Sequence, residues 1–310
     1  MREFFLQHGQ TEFLHCCQWE PACQPIGVVQ LVHGVAEHIA RYDGFARFLA
    51  DRGYVVVGED HPGHGKSVPT GEALGYLDGG WEAAVRGVHQ LYVKTRGAFP
   101  DLPYFILGHS MGSFLMRTYL YTFHDDLAGV ILSGTGWQNP AVLAAGRAIC
   151  RTEALHLGER QTSRLLQKLA FGAYNEAFAP NRTAFDWISS DPAAVDQYVA
   201  DPFCGFDPTI QLYGEMFRGM ANNQKAENLS RMQKQLPVLF LSGALDPVGS
   251  QGKGVQKTAE AFRRAGMEDV TVKLYASMRH EPLNEVGREQ VYGDILAWLQ
   301  RRQTGGPAGK

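Results

Sequence analysis

The 310-residue sequence predicts an α/β fold in which a mostly parallel sheet of eight strands is flanked by helices. Two observations lead to this class. Short, strongly apolar runs alternate with longer amphipathic segments, the pattern of strands and helices around a sheet that is buried on both faces. The alternation stops after the sixth apolar run and resumes about one hundred residues later, which indicates an insertion in an otherwise regular domain.

Composition and charge narrow the class of partner. Hydrophobic residues make up 45% of the chain and charged residues 20%, which suits a globular protein with a substantial core. The formal net charge of −3 gives no reason to expect a nucleic acid or an anionic membrane as partner. No feature of the sequence sets the oligomeric state.

The N-terminus and the cysteines predict a cytoplasmic protein without a cofactor. Met1–His8 has no sustained apolar run of the kind found in signal peptides. The sequence also contains no run of eighteen apolar residues, so stable insertion into a membrane is not expected. Five cysteines without Cys-x-x-Cys spacing favour free thiols in a reducing compartment. A metal site at Cys16, Cys17 and Cys23 is disfavoured, so neither a metal nor a cofactor is expected.

Before the insertion, the chain is predicted to open with a hairpin and to continue with alternating strands and helices. Gly9-Gln10 separates the two strand-like runs of the hairpin, and Gly53 ends the first helix. The predicted elements are strands at Arg2–His8, Glu12–Trp19, Ile26–Val32, Tyr54–Gly58 and Leu127–Leu132, helices at Arg41–Arg52 and Trp81–Arg96, and a strand, turn and helix over Tyr104–Phe123.

The interruption is interpreted as a helical lid. The α/β core is assigned to residues 1–134 and 235–303, the lid to 135–234, and a disordered Gly/Pro-rich tail to 304–310. Because ligands bind at the carboxyl ends of parallel strands, an insertion after such a strand is expected to cover the site. The remaining predicted elements are helices at Ala141–Ala154, Ser163–Phe171, Gln251–Ala265 and Gln290–Arg301, and strands at Pro237–Leu241 and Val270–Tyr275.

A Gly-x-Ser-x-Gly motif lies where a predicted strand turns directly into a helix. It reads Gly108-His109-Ser110-Met111-Gly112. A serine at such a turn is exposed at the top of the sheet, and the glycines leave room where a Cβ would collide with neighbouring backbone. The motif therefore predicts that Ser110 is a nucleophile at the N-terminus of a helix, where negative charge is favoured.

Two further strand ends carry the groups that a nucleophilic serine needs. Asp246 follows the strand at Pro237–Leu241, and His280 follows the last strand. An aspartate that orients a histidine, which in turn takes the serine proton, forms a Ser-His-Asp triad. The chain order Ser110, Asp246, His280 is the order typical of hydrolases that carry this kind of turn.

A site for acyl transfer also needs donors for the oxyanion of the tetrahedral intermediate. The backbone N–H of Met111, directly after the nucleophile, is one candidate. The second is the N–H of Val35, in the loop after the strand that ends at His33-Gly34, where glycine allows the backbone to turn inward.

With these motifs the chain resembles the monoacylglycerol lipase-like branch of the α/β-hydrolases, which includes lysophospholipase-type and serine-aminopeptidase-like enzymes. The resemblance runs from about residue 30 to 285. It implies the same roles for Ser110, Asp246, His280, Val35 and Met111. The matching segments are His33–His38 with Arg41-Tyr42, Asp60–Ser67, Gly108–Gly112, Ser242–Asp246, Arg279–Glu281 and Leu283–Glu285.

Two positions depart from the pattern of that branch. Ala36 stands where a second glycine is usual, and Ser113 stands where the serine turn usually continues with glycine. The first is expected to stiffen the oxyanion loop, and the second places a hydroxyl in the first helical turn. Neither removes a catalytic group.

The resemblance implies hydrolysis of carboxylic esters with an acyl chain, such as monoacylglycerols or lysophospholipids. Leu165, Leu166 and Leu169 could line an acyl tunnel or pack onto the core. Acyl transfer to another alcohol would use the same triad, and a non-catalytic binding protein is the remote alternative. An aminopeptidase would need a lid carboxylate to hold the substrate ammonium, and the candidates are Glu153, Glu159, Glu176 and Glu215.

Overall fold

A computed structural model describes residues 1–9 and 12–303, so the predicted tail at 304–310 and part of the hairpin turn lie outside the described residues. The strands are β1 (Arg2–His8), β2 (Glu12–Trp19), β3 (Gly27–Val32), β4 (Tyr54–Glu59), β5 (Tyr104–His109), β6 (Gly129–Ser133), β7 (Val238–Gly243) and β8 (Val270–Tyr275). The helices are α1 (Asp43–Ala50), α2 (Gly80–Ala98), α3 (Met111–Thr122), α4 (Pro140–Leu157), α5 (Arg164–Phe171), α6 (Pro192–Ala200), α7 (Ile210–Asn222), α8 (Ala226–Ser230), α9 (Lys253–Arg264) and α10 (Arg288–Gln303).

The eight strands form one sheet in the order β1-β2-β4-β3-β5-β6-β7-β8. β2 is antiparallel to both of its neighbours, whereas every pair from β4 to β8 in the sheet order is parallel. The predicted fold class is therefore confirmed. The six-residue strands β3, β4, β5 and β7 are buried along their whole length, which explains why most of their residues are apolar.

Helices cover both faces of the sheet and produce two apolar layers. One layer packs α2, α3 and α9 on the sheet, with Val88, Leu115 and Phe262 among its buried side chains. The other packs α1 and α10 on the opposite face, where Phe45 and Trp298 are buried. Alternate residues of each strand point into the two layers, so the sheet has no solvent-facing side in its centre.

Helices α4 to α8 lie between β6 and β7, and we refer to residues 135–234 as the insertion. The predicted first helix of the insertion extends to Leu157, and α6, α7 and α8 had no individual prediction. α4 packs along α7, and α7 also contacts α2 and α3 of the core. Within the described residues, no helix combines the length and the apolar character that crossing a membrane requires.

Helix α3 packs very closely against the sheet at Gly112, in its first turn. A Cβ at this position would lie 2.1 Å from the backbone oxygen of Val32 and 2.5 Å from that of His33, both at the end of β3. Since backbone atoms cannot move aside cheaply, only glycine lets α3 pack this closely against β3.

Gly112→Ala is expected to destabilise the protein by about 3 kcal/mol or more, because the added methyl group meets backbone on the sheet. Chemical denaturation measures the loss. Gly293→Ala is the matched control: it lies inside α10, where a Cβ meets no atom within 4 Å, and better helix propensity should leave stability unchanged or raise it by up to about 1 kcal/mol. Equal stability of Gly112→Ala and the wild type would contradict this packing.

Candidate active site

The carboxyl ends of four parallel strands bring the sequence-predicted site residues to one edge of the sheet. Ser110 follows β5, Asp246 follows β7 and His280 follows β8, while Val35 lies in the loop after β3. Ser110, His280, Val35 and Met111 all line one cavity. Asp246 lies behind His280 and is fully buried.

Ser110 occupies a strained turn between β5 and α3. Its φ of 52° and ψ of −118° lie outside the regions that most residues adopt. Two hydrogen bonds hold this turn. The N–H of Ser110 donates to the backbone oxygen of Ser133 at 2.9 Å, and the backbone oxygen of Ser110 accepts from the hydroxyl of Ser113 at 2.6 Å. The hydroxyl that replaces the usual glycine thus supports the turn.

Asp246 and His280 form a buried hydrogen-bonded pair. Nδ1 of His280 is 3.0 Å from Oδ1 of Asp246. The hydroxyl of Ser242 donates to the other carboxylate oxygen at 2.9 Å, and the N–H of Val248 donates to Oδ1, also at 2.9 Å. Two backbone hydrogen bonds keep these segments together: the N–H of Ala244 donates to Tyr275, the last residue of β8, and the N–H of Leu245 donates to Met278 in the loop that follows.

Burial and charge act in opposite directions on this pair. Burial alone would lower the pKa of His280, but the negative charge and the hydrogen bond of Asp246 outweigh it and raise the pKa above its ordinary value of 6.5. Burial likewise opposes ionisation of Asp246, yet His280 and the surrounding donors lower its pKa. The Asp246 carboxylate is therefore ionised at neutral pH.

His280 is enclosed by aromatic rings from both the core and the insertion. The ring of His109 lies 4.7 Å away and that of Trp187 lies 5.0 Å away, between centroids. Burial and the neighbouring His280 lower the pKa of His109 to about 3, so this imidazole stays neutral. Among the described residues, no hydrogen bond joins the Ser110 hydroxyl to His280; such contacts are often long before substrate binds.

The loop after β3 is folded tightly against Ser110. The N–H of Gly34 donates to Oε1 of Glu37 at 2.5 Å, and a Cβ at Gly34 would lie 3.1 Å from the Cβ of Ser110. Ala36 has a φ of 54°, a region that glycine adopts more readily, and its carbonyl accepts from the Tyr198 hydroxyl at 2.9 Å. The insertion thus helps to hold the loop that carries Val35.

A buried ion cluster joins this loop to the histidine loop. Arg41 donates to Glu37 at 2.6 Å and makes two parallel hydrogen bonds, of 2.9 and 2.8 Å, to Glu281 beside His280. Burial would raise the pKa of Glu281, but Arg41 lowers it to about 2. Burial and the nearby Glu281 raise the pKa of Glu37 despite Arg41. Two carboxylates thus share one guanidinium at the edge of the cavity.

The cavity beside Ser110 has a volume of about 820 Å³, within the range of small-molecule sites. Most of its wall comes from apolar side chains of the insertion, which leaves polar groups mainly near Ser110. The apolar lining includes Val142, Leu143, Ile149, Leu166, Leu169, Phe171, Trp187, Ile188, Phe206, Met216, Phe217 and Met220.

Comparison with known proteins identifies the family. The family model described as serine aminopeptidase S33 matches residues 23–287. The chain belongs to this α/β-hydrolase family. It is 31% identical over 286 residues to a monoacylglycerol lipase of Mycolicibacterium smegmatis, covering 91% of this chain and 90% of that protein. It is 27% identical over 308 residues to the monoglyceride lipase of Mus musculus, covering 98% and 92%.

A solved structure supports the same placement. The carboxyl esterase of Bacillus coagulans, crystallised with glycerol, superposes with a TM-score of 0.90 at 29% identity, covering 97% of this chain and 98% of that one. The relatives and the fold together make this α/β-hydrolase a carboxylic ester hydrolase, as the sequence predicts. The resemblance to the monoacylglycerol lipase-like branch is also confirmed.

Some residues of this hydrolase site had no predicted role. Glu37, Arg41 and Glu281 lie inside quoted motifs, and the four-residue spacing of Glu37 and Arg41 could have suggested an ion pair. Trp187 and Tyr198 reach the site from irregular or weakly patterned parts of the insertion, which carry no local signal.

Histidine NMR can test the electrostatics of the buried pair. We expect His280 to titrate above 6.5 in the wild type and below it in Asp246→Asn, because that variant keeps the burial but loses the attraction of the carboxylate. His280 resonances are assigned by comparison with His280→Gln. A His280 pKa that does not change on replacing Asp246 would show that the pair does not control this imidazole.

Proposed function

We propose that the enzyme hydrolyses monoacylglycerol- or lysophospholipid-like esters through an acyl-enzyme on Ser110, with His280 as base and Asp246 as its orienting partner. The observation that carries the proposal is the cavity of about 820 Å³, whose wall contains Ser110 and His280 and is otherwise largely apolar. Such a cavity suits one reactive carbonyl attached to a long apolar chain.

In the proposed reaction the three side chains act together. Ser110 attacks the ester carbonyl while Nε2 of His280 takes its proton, and the imidazolium then gives that proton to the departing alcohol. Asp246 keeps Nδ1 protonated and stabilises the positive charge. Water then attacks the acyl-enzyme by the same proton transfers and releases the acid.

Two backbone N–H groups are proposed to bind the oxyanion. Met111 is the first residue of α3, so its N–H has no acceptor within the helix. Val35 lines the same cavity, on a loop held by Glu37 and by the insertion. Donors fixed in place before the reaction contribute about 3–4 kcal/mol each to transition-state stabilisation.

The insertion is proposed to hold the acyl chain. Leu166 is buried and lines the cavity, as does Leu169, whereas Leu165 is exposed and lies outside it. The leucine face of α5 is thus divided between the cavity and the surface. α4 and α7 contribute the other apolar walls, among them Ile149 and Phe217.

The alcohol is proposed to leave on the polar side, beside the loop after β3. Glu37 lies next to Gly34 and Ser110, and Tyr198 lines the cavity with its hydroxyl directed to the carbonyl of Ala36. Hydroxyl-rich alcohols such as glycerol find hydrogen-bonding partners there.

The structure gives less support to an aminopeptidase. A peptide ammonium would need an acid in the cavity wall with no other cation to pair with. Glu37 and Glu281 line the wall but are hydrogen-bonded to Arg41. Asp207 accepts a hydrogen bond from the neutral Gln167 and so meets this requirement, but it is exposed, where solvent weakens its attraction for an ammonium group. None of the four predicted candidates lines the described cavity: Glu153, Glu159, Glu176 and Glu215.

Ser110→Ala should lower ester turnover by about a thousandfold or more while preserving the fold, because it removes the hydroxyl that attacks the ester carbonyl. The hydrolysis of monoacylglycerols, lysophospholipids and aminoacyl-anilides is measured for the wild type and for Ser110→Ala. Added alcohol acceptors distinguish hydrolysis from acyl transfer. Retention of a tenth of the ester activity would overturn the role of Ser110, and preferential cleavage of the anilides would favour the aminopeptidase.

Activity should increase with acyl-chain length until the cavity is filled. Each methylene transferred from water contributes about 0.8 kcal/mol, or about fourfold in kcat/KM. Ile149→Trp narrows the cavity and should shorten the optimal chain with little effect on acetate esters. Leu155→Trp is the matched control on α4, since Leu155 is 87% exposed and lies outside the lining. An unchanged chain-length profile in Ile149→Trp would contradict this acyl site.

A further inference from the structure

Three side chains of metal-ligating type converge where the insertion meets the loop after β3. His38 belongs to that loop, whereas Asp201 and Cys204 lie after α6 in the insertion. Nε2 of His38 is 2.8 Å from Oδ2 of Asp201, and one ligand atom from each of the three residues lies within 4.8 Å of the other two. None of the three lines the cavity beside Ser110.

The backbone around this cluster is held in place. The N–H of Cys204 donates to the carbonyl of Asp201 at 3.0 Å, so a tight turn brings the two side chains together. Oδ1 of Asp201 accepts from the N–H of Phe203 at 2.9 Å, which leaves Oδ2 directed at His38. The N–H of Gly205 then donates to the carbonyl of Ala36, two residues before His38.

We propose that His38, Asp201 and Cys204 bind a zinc-class divalent cation that joins the insertion to the oxyanion loop. Imidazole, thiolate and carboxylate are the three ligand types that zinc takes in proteins, and a water molecule would complete the tetrahedron. Ligand atoms of such a site lie about 3.3–3.7 Å apart. The hydrogen-bonded pair must therefore open slightly and the sulfur must move inward, which side-chain rotation allows.

Access and local charge suit a cation. The side chains of His38 and Asp201 are 13% and 28% solvent-exposed, so an ion can reach them from solvent. The charged groups that face the thiol are Arg41, Glu37, Asp201 and Glu281, and their carboxylates outnumber the guanidinium. The surroundings therefore attract positive charge, although Arg41 opposes it in part.

Metal binding must displace the proton of the Cys204 thiol. Burial raises the pKa of the Cys204 thiol, with Arg41 opposing and Glu37 and Asp201 adding to the rise. The metal thus replaces the S–H proton, and Nε2 of His38, which lies against Asp201, must carry no proton when it binds the ion. Metal affinity should therefore rise with pH, because the ligands bind the ion in their deprotonated forms.

Cobalt(II) is the probe, because its spectrum reports both geometry and thiolate ligation. Titrating chelator-treated wild type with cobalt(II) should produce the visible bands of tetrahedral cobalt and a near-ultraviolet thiolate-to-cobalt band. Both should saturate at one equivalent of cobalt per chain, and added zinc should remove both. Cys204→Ser should lose the thiolate band, and His38→Gln should weaken binding at least tenfold. Cys23→Ser, which changes an exposed cysteine elsewhere, should bind like the wild type.

Zinc should also raise the melting temperature of the wild type and of Cys23→Ser, but not that of Cys204→Ser or Asp201→Asn. Using both Cys204→Ser and Asp201→Asn ensures that the conclusion does not depend on a single variant that fails to fold. An unchanged cobalt spectrum in Cys204→Ser, loss of the thiolate band in Cys23→Ser, or an octahedral spectrum without that band would overturn the site. None of these readouts uses ester hydrolysis, so a failure of the proposed activity would leave this test intact.

Discussion

The contact of α3 with β3 at Gly112 is the constraint on which the geometry of the site depends. Because a Cβ there would meet the carbonyls of Val32 and His33, the contact brings the first turn of α3 directly onto the end of β3. Ser110 is thereby forced into its strained turn, and the Met111 N–H comes next to the loop that carries Val35. This close packing contact thus lies beside the proposed nucleophile and the two proposed oxyanion donors.

A cluster of buried charges also holds the loops around Ser110 in position. Arg41 is bonded to Glu37, which holds Gly34, and to Glu281, which follows His280, so one guanidinium connects the two loops on either side of Ser110. Burying three charges is costly unless each is hydrogen-bonded, and here every one has partners. The cluster therefore contributes more to the position of the loops than to net stability.

The sequence predicts the parts of this molecule that depend on local patterns. Strands such as β5 are continuous apolar runs, and the order of residues at their ends places Ser110, Asp246 and His280 at one edge. These are short-range signals, read from the glycines of the serine turn and from the periodicity of the helices. The order of the strands in the sheet is not predicted, because it depends on pairing between distant segments.

What the sequence does not predict depends on contacts between distant segments. Trp187 reaches His280 from an irregular part of the insertion, and His38 meets Asp201 across 163 positions of the chain. No periodicity or ligand spacing signals such pairs, which is why the sequence indicates no metal site. Substrate preference is set in the same region, since the apolar wall of the cavity is assembled from helices whose relative packing is a tertiary property.

The central claim is that Ser110 forms a covalent acyl-enzyme, and site-mapped labelling tests it most directly. The protein is treated with an alkyl fluorophosphonate, and intact mass followed by peptide mapping locates the adduct. The account predicts one adduct per chain, on Ser110, formed in parallel with the loss of ester hydrolysis. An adduct on another residue, or complete inhibition without modification of Ser110, would contradict it.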